Sequence, residues 1–214
     1  GDWSSDVCSS DLPGGNITLN SGSGSARDGT LRADINSVLT FSDNETHSIG
    51  GSFDLANNVT FTSASTSVLF TATTSGKIIV ATSSAFHNVT FTGSGDWAFP
   101  PGSFATNDNM VINAGTVTLP SGTTTVAGSF ENNGGTIAHN NGTLYLTSNT
   151  YETLKQGGDD LSNITFDGTG TWTWQDTNAT TSGNFLIEQG TTTLPSGTLT
   201  VGRDRKSTRL NSSH

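Results

Sequence analysis

An all-β fold, a parallel β-solenoid, is predicted by three features of this 214-residue chain. Thr (37), Ser (28), Gly (26) and Asn (19) supply about half of the sequence, so strong helix formers are scarce while β-branched residues abound. Segments of the chain recur at long and short periods, which is how stacked repeat architectures show themselves. Within each recurring segment, apolar residues alternate with hydroxylated ones for a few positions and then stop at a Gly, Asn or Pro corner. Leu, Ile, Val and Phe make up only about a fifth of the chain, close to the level below which chains stay disordered. A stack of short strands that each bury one face is a fold such a share can support.

The recurrences define the elements in order. Phe86 to Trp97 reads F-H-N-V-T-F-T-G-S-G-D-W, and Leu161 to Trp172 reads L-S-N-I-T-F-D-G-T-G-T-W, an ungapped match at an offset of 75. At the same offset, G-T-V-T-L-P-S-G-T-T-T-V (Gly115 to Val126) falls on G-T-T-T-L-P-S-G-T-L-T-V (Gly190 to Val201). N-V-T-F occurs at Asn88 and, at an offset of 30, also at Asn58 to Phe61. Leu39 to Phe61 matches Leu144 to Phe166 at an offset of 105. A shorter period of 20 brings Gly115 to Val126 onto Gly135 to Leu146, with Gly-Thr at Gly115, Gly122, Gly135 and Gly142, and again at Gly190 and Gly197. One unit is then two or three short strands separated by Pro-Ser-Gly or Asn-Asn-Gly corners, where Gly and Asn accept positive φ. Val117 and Leu119 alternate with Thr116 and Thr118, so one face is apolar and the other hydroxylated. Coils of about 20–25 residues rising about 4.8 Å each would build a rod on the order of 40 Å long. The rival reading pairs the same strands as hairpins in an antiparallel β-sandwich. Pro13 to Arg32 is Gly/Ser-rich and poorly periodic, either a degraded coil or a loop.

The pattern N-[VI]-T-F-x-G-x-G-x-W, followed by G-T-x-T-L-P-S-G-T-x-T-V and by G-S-F-E-N-N-G-G-T at Gly128 to Thr136, resembles repeat regions of large bacterial surface proteins of the adhesin and autotransporter-passenger type. The likeness covers most of Val38 to Gly202. It implies a right-handed parallel β-helix in a secreted or surface-displayed region, without naming a ligand. Asp2 to Leu12 and Asp204 to His214 read differently from the rest; both resemble translations of a short-read sequencing adapter, one from each strand. That resemblance sets residues 1–12 and 204–214 aside as disordered ends, leaves 13–203 as a single solenoid fragment of a longer, metagenome-derived protein, and strips meaning from Cys8, Arg205, Lys206 and Arg209.

Composition excludes several functions. A net charge of −10 argues against a nucleic-acid partner. One Cys builds neither a disulfide framework nor a Cys zinc site. No apolar run is long enough for a membrane-spanning helix.

Three sets of residues are candidates for more than packing. Asn58, Asn88 and Asn163 each begin Asn-x-Thr, as do Asn16, Asn44, Asn141 and Asn178; they are either glycan acceptors or amides that hydrogen-bond along the stack. Trp97 and Phe99, like Trp172 and Trp174, share a strand face at i and i+2. Exposed, these pairs would stack on sugar rings; facing inward, they would fill the core. Asn107–Asp108–Asn109, Asp159–Asp160 and Asp167 carry oxygen ligands but no complete Ca²⁺ loop, so they read as solvated loops. His47, His87 and His139 stand apart, and Arg27, Arg32, Lys77, Lys155 and Arg203 share no repeat register with an acid. Neither G-x-S-x-G nor H-E-x-x-H occurs. The expectation is a non-catalytic structural or adhesive region, without cofactor or metal, a monomeric extracellular rod whose candidate partner is a cell-surface glycan or a host or neighbouring surface. The alternatives are a carbohydrate-binding module using the Trp pairs, or the non-catalytic part of a polysaccharide-active β-helix enzyme.

Overall fold

A computed structural model describes residues 18, 19, 29–41, 43–81, 84–203 and 205–207. Of the ends expected to be disordered, 1–12 and 204–214, residues 1–12, 204 and 208–214 lie outside the described residues, as does Asn16, while 205–207 form a strand. Among the described residues there is no helix, and every strand pairing is parallel. The chain is a parallel β-solenoid of about eight turns. The antiparallel sandwich, which needs reversed neighbours, is not formed.

Each coil visits three sides in a fixed order. Met110–Ile112 lies on the first side, Thr116–Thr118 on the second and Thr123–Val126 on the third; Phe130–Asn132, Thr136–Ala138 and Thr143–Leu146 then repeat the circuit. The registers Met110↔Phe130, Thr116↔Thr136 and Thr123↔Thr143 give this circuit the short period seen in the sequence. The first side is a nine-stranded sheet from Thr18–Leu19 to Thr191–Thr193. The second is a six-stranded sheet ending at Thr136–Ala138, continued by the three-stranded sheet that opens with Asp160–Leu161. The third begins with Val38–Thr40 and Thr60–Thr62 and resumes at Phe104–Thr106. Arg205–Ser207 pair with Phe185–Ile187 and continue that side by backbone.

Alternation decides what goes inside. In Thr116–Thr118 only Val117 is buried, and in Asn163–Phe166 the buried residues are Ile164 and Phe166. Because coils stack in register, inward side chains fall into columns. One column runs Val68, Val89, Met110, Phe130, Leu154, Trp174, and all six are buried. Each coil covers the apolar face that its neighbour cannot cover alone.

Among the described residues, three circuits are longer than the regular one; the first sets Thr18 on Ser48, and two more lie further along. Phe53 pairs with Ile79, and Phe130 with Leu154, so both circuits take in more chain than the regular one. Between Thr60–Thr62 and Phe104–Thr106 the third side carries no full strand; a single bridge joins Phe86 to Thr106. Phe86 compensates from within, since its ring lies 4.8 Å from Phe53, 5.1 Å from Phe61 and 5.7 Å from Phe104.

The long sequence repeat does not coincide with the coil. Asn88–Phe91 sits on the first side and Asn163–Phe166 on the third; Asp96–Ala98 sits on the second and Thr171–Trp174 on the first. The shift that carries Asn88 onto Asn163 therefore moves a block one side back. The shift that carries Leu39 onto Leu144 keeps its side: both of these, like Phe61 and Phe166, lie on the third. Three quasi-equivalent sides accept the same apolar alternation, so a sequence block is free to serve any of them.

Candidate functional site

Of the four aromatic residues considered for sugar stacking, Trp97 and Trp172 are 0% exposed and Phe99 and Trp174 are 5% exposed. None offers an open ring face. They are core. Phe91 meets Trp97 edge-on at 5.2 Å, and Phe166 meets Trp172 edge-on at 5.4 Å, the packing that ring quadrupoles favour. The Trp174 indole N–H donates to Asp176 Oδ2 at 3.2 Å. The corner around each edge-on pair is the same construction twice. Gly115 (φ +74°) faces Gly95 O, Gly93 O and Trp97 Cζ3; Gly190 (φ +72°) faces Gly170 O, Gly168 O and Trp172 Cζ3. Only a residue without Cβ fits against an indole at that φ.

The outer face of the first side carries the polar feature that residue patterns did not single out. Thr46, Ser67 and Asn88, then Asn109 and Ser129, then Thr153, Thr173 and Thr193 follow one another coil by coil at one outward register. Midway along this column the face forms an open, shallow trough of about 480 Å³, lined by Asn88, Thr90, Asn109, Val111, Ser129 and Glu131 among others. Its side chains are engaged with one another along the axis. Asn88 Oδ1 accepts from the Asn109 backbone N–H and from Asn109 Nδ2, both at 3.1 Å. Asn109 Oδ1 accepts the Ser129 N–H at 2.8 Å, and Ser129 Oγ accepts the Thr153 N–H at 3.0 Å. Ser129 Oγ also donates to Glu152 Oε2 at 2.8 Å, and the Thr153 hydroxyl donates to Glu131. The row is a rail tying coil to coil. The spacings that build it, from Asn88 to Asn109 to Ser129, stand in the sequence, but Asn, Ser and Thr are too common here for the row to stand out.

The recurrent Asn residues divide. Asn88 and Asn163 hydrogen-bond along the stack: the Asn184 N–H donates to Asn163 Oδ1 at 3.0 Å just as Asn109 N–H does to Asn88. Asn58 instead sits at an exposed corner with φ +64°.

Asp159, Asp167 and Asp176 likewise bond to neighbouring coils. Asp159 Oδ2 accepts the Ile137 N–H at 2.6 Å and Asn132 Nδ2 at 2.9 Å. Asp176 accepts the N–H groups of Gln156 and Gly157. Asn132 and Gln156 are fully buried, and their amides are satisfied by Gly135, Gln156 and Thr180 backbone atoms. Asp167 accepts from the Tyr145 hydroxyl and from Gln189 Nε2. That first bond pushes Tyr145 up to about 12 and, with Gln189, holds Asp167 below the usual carboxylate value. Among the described residues, no group of three or more His, Cys, Asp or Glu could hold a metal ion.

The histidines are less isolated than their spacing implies. His87 Nδ1 lies 3.8 Å from Asp108 Oδ2 and His139 Nε2 lies 3.8 Å from Asp160 Oδ2, each pairing with an acid one coil further along. Such half-exposed pairs contribute little to stability. His47 is 2% exposed and packs on the Phe41 ring at 4.0 Å; burial lowers its pKa, opposed by Glu45. No family model, no curated protein and no solved structure matches this chain.

Proposed function

We propose that this chain is a non-catalytic structural region of an extracellular bacterial surface protein, a stalk or passenger segment that spaces an adhesive element from its anchor. The observation that carries the reading is the axial rail on the first side, together with the continuous inward columns: from Asn88 to Thr153 the outward polar side chains join coil to coil. An acidic, charge-poor surface of Thr, Ser and Asn suits an exposed rod, and the likeness to adhesin and autotransporter-passenger repeats supports that setting.

The purified chain tests the reading on a glycan array, in bacterial and host cell-binding assays, and in a reducing-end assay with acidic and neutral polysaccharides. The expected result is no saturable binding and no sugar release by the chain itself. Saturable binding that free sugar competes away would favour a carbohydrate-binding module. New reducing ends would favour a polysaccharide-active enzyme. Either outcome overturns the proposal.

A further inference from the structure

We infer that Asn44, Asn58 and Asn141 are acceptor sites for an N-linked sugar, and that the fold closes the same tripeptide at Asn88 and Asn163. All five begin Asn-x-Thr, so the motif does not distinguish them. The backbone does. Asn44, Asn58 and Asn141 have φ of +61°, +64° and +59°, and all three are exposed. Each stands two positions before the Thr that opens a strand: Thr46–Ile49, Thr60–Thr62 and Thr143–Leu146. The left-handed turn swings the Asn side chain off the corner while the Thr is carried onto the outward register. The side-chain amides of these three make no hydrogen bond to another described residue.

Asn88 and Asn163 are instead the first residues of strands, Asn88–Phe91 and Asn163–Phe166, and are half-buried. Asn88 Nδ2 lies 2.8 Å from His87 Nδ1 while its Oδ1 holds Asn109. Asn163 Nδ2 donates to Gly142 O at 3.3 Å and Ser162 Oγ at 3.2 Å while its Oδ1 holds the Asn184 N–H. Asn178 falls between the groups, exposed but with Oδ1 accepting the Thr198 N–H at 2.9 Å.

The transfer needs a free amide. Nδ2 attacks the anomeric carbon of a sugar activated on a phosphate, the new N–C bond replaces the C–O bond to phosphate, and the phosphate departs with that electron pair. The amide proton passes to a base of the transferase. The activated sugar and the transferase come from outside this chain. An amide held at both ends, its oxygen in a coil-to-coil contact and its nitrogen on a neighbouring acceptor, is withheld from that attack until the strand opens locally. Asn58 and Asn141 both lie between the second and third sides and Asn44 between the third and first, so the sugars would stand off the edges of the rod and leave its faces clear.

The test uses the folded full chain, an N-glycosyltransferase specific for Asn-x-Thr and a nucleotide-activated hexose, with occupancy mapped by peptide mass spectrometry. Occupancy at Asn44, Asn58 and Asn141 is expected to exceed that at Asn88 and Asn163 by about tenfold or more, the penalty of local opening. Proteolytic peptides of the same chain should label at all five. Thr46→Ala, Thr60→Ala and Thr143→Ala should each silence only the Asn two positions earlier. Equal occupancy at all five in the folded chain overturns the inference. So does an unlabelled folded chain in a reaction whose proteolytic peptides are labelled.

Discussion

Gly115 and Gly76 share a left-handed φ, +74° and +77°, but not their surroundings. A Cβ on Gly76 would meet nothing within 4 Å, whereas one on Gly115 would lie 2.4 Å from Gly95 O and 2.8 Å from Trp97 Cζ3. Gly76→Ala should therefore lose only the conformational cost, about 1 kcal/mol, and Gly115→Ala about 3 kcal/mol in urea denaturation. Equal losses would mean that the indole contact contributes nothing. Burial predicts a second contrast. Phe91 is 0% exposed while Thr118 faces outward, so Phe91→Asp should cost about 4 kcal/mol or more and Thr118→Ala within about 0.5 kcal/mol; comparable shifts in denaturation midpoint would reverse the inside/outside assignment. His47 sets a pH response. Its folded pKa lies below the ordinary value of 6.5, so between those two values the unfolded chain binds more protons. Stability is then highest above the unfolded pKa and falls as pH drops through it toward the folded pKa. His47→Gln should flatten that part of the profile of urea midpoint against pH, and an unchanged slope would remove His47 as its source.

At the scale of elements, the coil with the interrupted third side depends on Phe86. Its backbone bridge to Thr106 is narrower than a paired strand, and its ring packs against Phe53, Phe61 and Phe104 within the core. Phe86→Ala should cost about 3–5 kcal/mol, with amide exchange rising first in Thr60–Thr62 and Phe104–Thr106. Exchange rising uniformly along the rod would argue against a seam. The inward alternation of strands such as Thr116–Thr118, and the Asn-Asn-Gly corner at Asn140 and Asn141 with its positive φ, were legible in the sequence because each is local. The coil-to-coil register was not. It depends on where extra chain is absorbed, as in the coils that set Phe53 on Ile79 and Phe130 on Leu154, and those places are marked by ordinary Ser, Thr and Asn. The same reason hid the Asn88–Asn109–Ser129 rail. The Trp pairs were legible as strand-face pairs, but i and i+2 spacing does not say which face is inward.

As a whole, the molecule is a one-dimensional stack in which each coil touches its neighbours and long-range order is the sum of local contacts. Its rail and its columns both run along the axis, so changes in one coil reach the next through shared partners such as Asn109, which bonds both Asn88 and Ser129. Asn109→Ala should cost about 1–2 kcal/mol by leaving the Ser129 N–H without its acceptor and the Asn88 amide oxygen with one donor fewer. Asn88→Ala combined with it should cost less than the sum of the two single changes; strict additivity would show that the row is not a connected rail. The mismatch between repeat and circuit bears on heredity. Tandem genes grow and shrink by copying their own repeats, and here one extra copy of the stretch separating Asn88 from Asn163 would not simply lengthen the product. It would turn everything downstream by about a third of a revolution, re-aiming each later face, while a copy of the stretch separating Leu39 from Leu144 would leave the aim unchanged. Copy number in such a gene acts as a rotary dial on what the far end presents.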